Sequence, residues 1–521
     1  MNIKLFPPAS LKLNKTLSRE IVLTGLILLA GVLLRLRQYL TGRSLWLDEA
    51  MLALNIVNRD YVSLFKPLDY DQGAPIGFLL VEKTFNLVLG RNELSLRLFP
   101  LLIGLVSLWM FYLLLKQITS GVGLWVALAL FAFNPRLIYY SSEVKQYIVD
   151  VAVTIGLLLV AAPLFEIKRP GRPPPEDLPG SGKGFIRLGL AGFFALWFSH
   201  PALFVLAGIE ITLVILYLRK RDLSSLWLII AMGALWLANL GLLYFTTLQG
   251  LTRNGTLLDY WDISFVPSPL WSDVGWFARS FRANVAVEFG INDAAGLVFG
   301  LMLVGWIALF LEKRSYASAL VLTLLFALIA SSLRLYPLIG RLIQFLVPLG
   351  LLLIGKALEV FHRWIKPRPL LAVIVPLMLS GYLLYNPFTI SLEYLIKPKY
   401  SEHIRPTLEY FRSAWREGDA MYISYGAVPA FRFYAPAYGL EEIRYEAGLY
   451  TDYTDPPRIL QRLDSLRGQQ RVWILISHVY EQGDFSEKDF LTSYLDQIGS
   501  KKREFREPGT SVYLYLYDLS E

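Results

Sequence analysis

Apolar residues form long runs through the first three quarters of the chain and short ones after that. A run of roughly 18 or more apolar residues is long enough to cross a hydrocarbon core about 30 Å thick. On that basis about eleven spanning helices are predicted, centred on 21–39, 95–115, 121–138, 146–164, 186–199, 201–218, 224–246, 294–311, 316–333, 338–356 and 370–388. The segment from Ala74 to Gly90 is equally apolar but carries Glu82 and Lys83 at its centre. Each such charge would cost about 2.5–3.5 kcal/mol at mid-membrane, so this segment reads as an amphipathic helix on the membrane surface.

From about Lys399 the pattern changes. Thr407 to Arg416, Pro457 to Arg467 and Ser486 to Ile498 read as helices. Asp419 to Tyr425, Arg471 to Val479 and Ser511 to Leu519, rich in Tyr, Val and Ile, read as strands. The predicted class is therefore a polytopic α-helical membrane domain over 1–398, with outer loops at 41–94 and 248–293. An exported α/β domain follows over 399–521. Pro170 to Gly184 is a Pro/Gly-rich linker.

Charge orients this arrangement. If Ala74–Gly90 does not span, the basic clusters at Lys4–Arg19, Lys116, Lys168–Arg187, Arg219–Arg221, Lys313–Arg314 and Lys356–Arg368 share one side. The positive-inside rule makes that side cytoplasmic. The N-terminus is then cytoplasmic and the C-terminal domain lies outside, on a plasma (inner) membrane protein. The first apolar run, Ile21 to Leu34, lacks a small-residue cleavage site, so it does not read as a cleaved signal.

Composition narrows the chemistry. There are 50 Lys and Arg against 42 Asp and Glu, but the excess is spread over loops between spans and is not a nucleic-acid signal. The chain has no cysteine, which excludes disulfides, thiolate catalysis and Cys-ligated metals. Four histidines without ligand spacing make a zinc site a poor reading, and no metal ligands are assigned; a divalent cation stays open. No phosphate-loop or dinucleotide motif occurs.

Ionisable residues instead gather at the predicted outer face. Asp48 and Glu49 follow Trp46 just after the first span. Paired carboxylates there suit proton abstraction from an acceptor, although Asp48 also suits the start of a surface helix. Tyr140-Ser-Ser-Glu143-Val-Lys145-Gln-Tyr147 lies between the third and fourth spans, where ionisable groups are functional candidates by default. Arg341, just inside the tenth span and near Tyr336, needs an anionic partner. A lipid phosphate would serve, as would a carboxylate such as Glu143 or Asp150. His200 lies at an outer turn. Arg35 and Arg37 end the first span, within reach of headgroups.

These motifs resemble the GT-C superfamily of membrane glycosyltransferases. The stretches that carry the likeness are Leu45-Trp46-Leu47-Asp48-Glu49-Ala50, Ala74-Pro75 heading a helix that ends at Gly90, Glu93 to Pro100, and Tyr140 to Tyr147. The resemblance covers about residues 20–360. It is strongest to the protein O-mannosyltransferase-like branch, which includes the aminoarabinose lipid A transferases. It implies transfer of a sugar from a polyprenyl-phosphate carrier to a lipid, glycan or protein acceptor at the non-cytoplasmic face. Asp48 would be the base, with Glu49 and Glu143 in the catalytic set. Arg341, Lys145, Arg97 and Lys83 would hold the donor phosphate. Trp46, Tyr147, Tyr336 and His200 would contact substrate. Two positions depart from the pattern: Lys145 stands where many relatives have Arg, and Ala74 where the lipid A transferases have Lys. A lipid or glycan transporter or a polysaccharide ligase is the alternative reading, and a non-catalytic scaffold is a third. The charges cluster at one face rather than at the midplane, which disfavours transport.

Overall fold

The computed structural model describes residues 15–165, 182–291, 294–400, 402–449, 456–483 and 485–520. Most of the Pro/Gly-rich linker lies outside them. The helices run α1 (Lys15–Tyr39), α2 (Leu47–Asn58), α3 (Ile76–Leu89), α4 (Glu93–Ile118), α5 (Gly121–Ala132), α6 (Pro135–Tyr140), α7 (Tyr147–Phe165), α8 (Gly182–Phe198), α9 (Ala202–Lys220) and α10 (Leu223–Leu243). They continue with α11 (Gln249–Thr252), α12 (Gly255–Tyr260), α13 (Gly275–Val287), α14 (Ala295–Glu312), α15 (Arg314–Ser332), α16 (Val347–Ile365) and α17 (Pro369–Ile396).

Every expected span falls on helical structure, although the one at 121–138 is broken at Phe133–Asn134 into α5 and α6. Among the described residues eight are long and apolar enough to cross a membrane: α4, α7, α9, α10 with its extension to Thr252, α14, α15, α16 with its lead-in from Gly340, and α17. Outside that set stand α1, with 25 residues, α5, with 12, and α8, with 17. Small residues let the helices approach closely. Gly123 and Gly355 meet backbone to backbone where α5 crosses α16, and a Cβ on either would strike the other's carbonyl oxygen.

The surface-helix reading of Ala74–Gly90 corresponds to α3, 14 residues long. Its polar side, however, turns into the protein. Glu82 and Lys83 are buried while Leu87, Val88 and Leu89 are exposed. Lys83 donates to the Val57 carbonyl at 3.0 Å. Both Glu82 carboxylate oxygens lack a partner, and burial holds that carboxyl well above its ordinary pKa.

The C-terminal region contains α18 (Arg405–Ala414), β1 (Ala420–Ile423), α19 (Val428–Tyr438), β2 (Glu446–Ala447), α20 (Pro456–Asp464), β3 (Val472–Ile476), β4 (Glu481–Gln482), β5 (Phe485–Ser486), α21 (Glu487–Ile498), β6 (Ser500–Phe505) and β7 (Tyr513–Asp518). Five strands form one sheet in the order β2-β1-β3-β7-β6. β1 is parallel to β2 and β3, and β7 is antiparallel to β3 and β6. The three predicted strands are its centre. β6 escapes the pattern because it reads Ser-Lys-Lys-Arg-Glu-Phe, the charged composition that protects a sheet edge. Tyr422, Phe431, Phe433 and Tyr434 are buried in the core.

This region docks on the loop before α2. Tyr434 donates to Glu93 at 2.7 Å and accepts the Leu45 amide at 2.8 Å. His403 meets Ser44 Oγ at 2.9 Å, and Arg91 donates to the Phe433 carbonyl at 2.7 Å. Glu402 accepts the Leu47 amide at 2.8 Å. The C-terminal region therefore holds the segment that presents Asp48.

Candidate active site

A cavity of about 860 Å³ opens between the first loop, the Tyr140–Tyr147 segment, the lead-in to α16 and the C-terminal region. Its wall includes Trp46, Asp48, Glu143, Lys145, Tyr147, His200 and Arg341. Segments nearly 300 residues apart in sequence thus meet at one mouth.

Local chemistry explains how each is presented. Asp48 lies in the first turn of α2, where unsatisfied amides favour a negative charge. Asn134 caps α6 by accepting the Leu137 amide at 2.9 Å, and Pro135 starts the helix. This sends the Ser141–Gln146 loop across the cavity before α7 begins. Arg341 follows Gly340, whose φ of +61° favours glycine, in a short tight helix that leads into α16.

Asp48 and Arg341 form an ion pair with both side chains about one-fifth exposed, at 20% and 19%, so both remain accessible from the cavity. The Arg341 guanidinium lies 5.6 Å from the Trp46 ring, 5.7 Å from Tyr147 and 5.9 Å from Trp261, a cage of aromatic faces suited to a cation. Burial disfavours ionisation of Asp48, but the charges of Arg341 and Lys145 outweigh it and hold the carboxyl at about 2. The anionic partner that Arg341 needs is thus a carboxylate in this state, and it is Asp48 rather than Glu143 or Asp150. Lys145 is buried and donates to Gln72 Oε1 at 2.6 Å.

Glu143 accepts the Trp46 indole N–H at 2.9 Å on one oxygen, while its other oxygen has no partner. Burial and the neighbouring Glu49 charge push its pKa up to about 7, against the opposing pull of Arg341. A carboxyl whose folded pKa exceeds its unfolded one costs stability as pH rises between the two values. Glu143→Gln should therefore flatten the decline in thermal stability between about pH 4.5 and 7. Melting curves of both proteins across that window test this, and parallel slopes would contradict it.

The remaining expected site residues lie elsewhere. Glu49 and Arg97 do not line the cavity; they saturate one another. Arg97 Nε and Nη2 donate to the two Glu49 oxygens at 2.9 and 2.6 Å, and both side chains are 1% exposed or less. Arg97 also donates to the Arg43 carbonyl at 2.6 Å, and Glu49 accepts the Val144 amide at 2.9 Å. The pair thus ties three segments behind the cavity wall. Burial opposes ionisation of Glu49, but Arg97 keeps its pKa below the ordinary range. Lys83 lies on α3, away from the cavity lining. Tyr336 is spent on the Leu342 carbonyl at 2.9 Å, behind the wall. Arg35 is buried against the Ala132 carbonyl at 3.1 Å, and Arg37 donates to the Leu395 carbonyl at 3.1 Å. His200 does face the cavity, and burial lowers it to about 4, so it is a neutral imidazole.

Sequence reasoning missed Glu402 and His478. His478 lies on the cavity wall, 6.1 Å from the Trp46 ring, with Nδ1 2.7 Å from Glu402 Oε1. Its φ of +51° is unusual for a side chain with a Cβ. Burial works against its protonation, yet the Glu402 carboxylate raises its pKa overall. A lone His at the end of a predicted strand carries no local signal. Among the described residues no three His, Asp or Glu side chains stand together to hold a metal ion.

No protein-family model matches the chain, and no curated protein matches it in sequence. Solved structures do. ArnT from Cupriavidus metallidurans in the apo state superposes with a TM-score of 0.53 at 13% identity, covering 96% of this chain and 98% of that one. The same protein bound to undecaprenyl phosphate gives a TM-score of 0.50 at 14% identity, with coverage of 96% and 98%. The oligosaccharyltransferase of Archaeoglobus fulgidus also matches, at a TM-score of 0.49 and 11% identity, over 87% of this chain and 69% of that one. The chain therefore shares the fold of ArnT, a polytopic helical architecture completed by a C-terminal region built on a sheet.

Proposed function

We propose that this chain is a glycosyltransferase that takes a sugar from a polyprenyl-phosphate carrier at the non-cytoplasmic membrane face. The observation that carries the reading is the Asp48–Arg341 ion pair at the wall of a large cavity beside Glu143 and Lys145. ArnT of the same fold has been crystallised with undecaprenyl phosphate, which supports a lipid-phosphate donor.

The chemistry follows from the groups present. The donor phosphate binds Arg341, a cation suited to bidentate phosphate contact, with Lys145 as a point charge nearby. In doing so it displaces Asp48 from the guanidinium. Freed of that charge, Asp48 becomes more basic than its resting value of about 2. It then accepts the proton of the acceptor hydroxyl or amine as that atom bonds to the anomeric carbon. The bond from that carbon to the phosphate oxygen breaks, and the electron pair leaves with the phosphate, neutralised by the cations. Displacement in one step inverts the anomeric centre. Trp46 and Tyr147 contact the sugar, and His200 lies along the same wall.

Arg341→Ala should weaken binding of undecaprenyl phosphate by about 10–100-fold, the usual loss for a charge-assisted contact. Titration of purified protein with that lipid measures it. An unchanged affinity would remove Arg341 from the donor site and with it the basis of this reading.

A further inference from the structure

The cavity holds more positive charge than one donor phosphate requires. Arg334 on its rim is neutralised by Asp262 at 2.7 Å, Arg341 by Asp48, and His478 is bound to Glu402. Arg136 and Lys399 line the same cavity, yet neither side chain makes an ion pair or hydrogen bond among the described residues. They lie close enough for the Arg136 charge to act on Lys399. Arg136 lies a turn before Tyr139 on α6, and Lys399 Nζ is 5.5 Å from the Tyr139 ring centre.

A third cation backs them. Arg43 is 2% exposed and stacks over Tyr139 at 4.3 Å. Its Nη1 donates to Ser142 Oγ at 3.0 Å, but Nε and Nη2 are buried without partners. Unmade hydrogen bonds of a buried guanidinium are costly, and a cluster of three like charges is costlier still. Ionised Glu49 offsets part of the Arg43 charge, although Arg97 takes both of its oxygens; the carboxyls that line the cavity add little. Burial favours the neutral form of Glu143, and likewise of Glu288 despite the pull of Arg136. Glu288 is also engaged by Gln344.

We infer that Arg136 and Lys399, with Arg43 behind them, form a second anion subsite, separate from the donor phosphate site at Arg341, and that it receives a phosphate or carboxylate carried by the acceptor. This rests on the reading that Arg341 holds the donor phosphate, and it narrows the acceptor to an acidic molecule. The two sites lie on different elements, α6 with the start of the C-terminal region for one and the lead-in to α16 for the other. Glu288 feels both Arg136 and Arg341, so the two subsites adjoin, and a donor and an acidic acceptor would be held side by side with a separate cation for each negative charge.

The test uses the full chain in nanodiscs and native mass spectrometry, with undecaprenyl phosphate and phosphatidic acid as probes. The wild type should retain one of each at the same time. The Arg136→Gln/Lys399→Gln double variant should bind phosphatidic acid about ten-fold or more weakly and keep its undecaprenyl phosphate. Lys399→Gln alone, at a half-buried lysine, should move in the same direction and serves if the double variant fails to fold. Undiminished phosphatidic acid binding in the variants, or no such binding in the wild type, overturns the inference. So does a loss confined to undecaprenyl phosphate, which would assign these cations to the donor. A third arm uses undecaprenyl diphosphate: if the double variant loses only a preference for it over the monophosphate, both anions belong to one donor and the acidic acceptor is rejected. Arg341→Ala with intact undecaprenyl phosphate binding would instead refute the donor reading, a result separable from every outcome above.

Discussion

Asp48→Asn should reduce sugar transfer by about 10²–10⁴-fold, the range that a positioned general base contributes. The amide keeps the shape of the carboxylate but cannot take the acceptor's proton at neutral pH. The fold should survive, because Asp48 is partly exposed and its partner Arg341 remains within its aromatic cage. Donor binding should hold or tighten, since Arg341 no longer has a carboxylate to give up. That combination separates a base from a structural acid, whose loss would lower folded yield and donor affinity together. Turnover with a lipid-linked sugar and titration with undecaprenyl phosphate measure the two halves. Transfer at the wild-type rate would reject Asp48 as the base.

The second large effect concerns stability. Arg97→Met should destabilise the fold by about 3–5 kcal/mol, because it strands Glu49 as an uncompensated buried charge. It also removes the donor to the Arg43 carbonyl, so the loop that presents Asp48 loosens. Pairing it with Glu49→Gln should recover much of the loss, since the remaining buried group is then neutral. Recovery should be incomplete, because the Val144 amide keeps a weaker acceptor. Denaturant or thermal unfolding of the single and double variants tests this. A single variant within about 1 kcal/mol of wild type would show that the pair is not a structural tie. For the folded fraction, affinity for undecaprenyl phosphate should not change, because Arg97 does not line the cavity. A specific loss of donor binding would return Arg97 to the phosphate site.

The two experiments divide residues that sequence placed together. Asp48 and Glu49 are adjacent carboxylates, yet consecutive positions on a helix point in directions about 100° apart. One therefore faces the cavity while the other turns into the protein. Their spacing near Trp46 presents them as one catalytic pair, but only the neighbours of each decide its role. Lys83 and Tyr336 diverge from expectation for the same reason, each satisfied by a backbone carbonyl close by.

Lys145 illustrates the converse. It was expected at the phosphate and does line the cavity, although its ammonium is taken by Gln72, itself in the first loop. A donor phosphate would compete with a neutral amide there, a weaker rival than the carboxylate that holds Arg341.

What the sequence determined by itself was the membrane architecture and the segments that matter. Run length against bilayer thickness located a helix for every expected span, and β-branched and aromatic runs located β1, β3 and β7, because both signals are carried by residues next to one another in the chain. It also singled out the stretches around Asp48, Glu143 and Arg341, since charge at the border of an apolar run is itself a local anomaly. Tertiary structure decided who answers whom: Arg341 to Asp48, Arg97 to Glu49, His478 to Glu402, and Arg136 with Lys399 to no carboxylate within ion-pair distance among the described residues. Those outcomes depend on distances between segments tens to hundreds of residues apart, and periodicity within a segment contains no information about them.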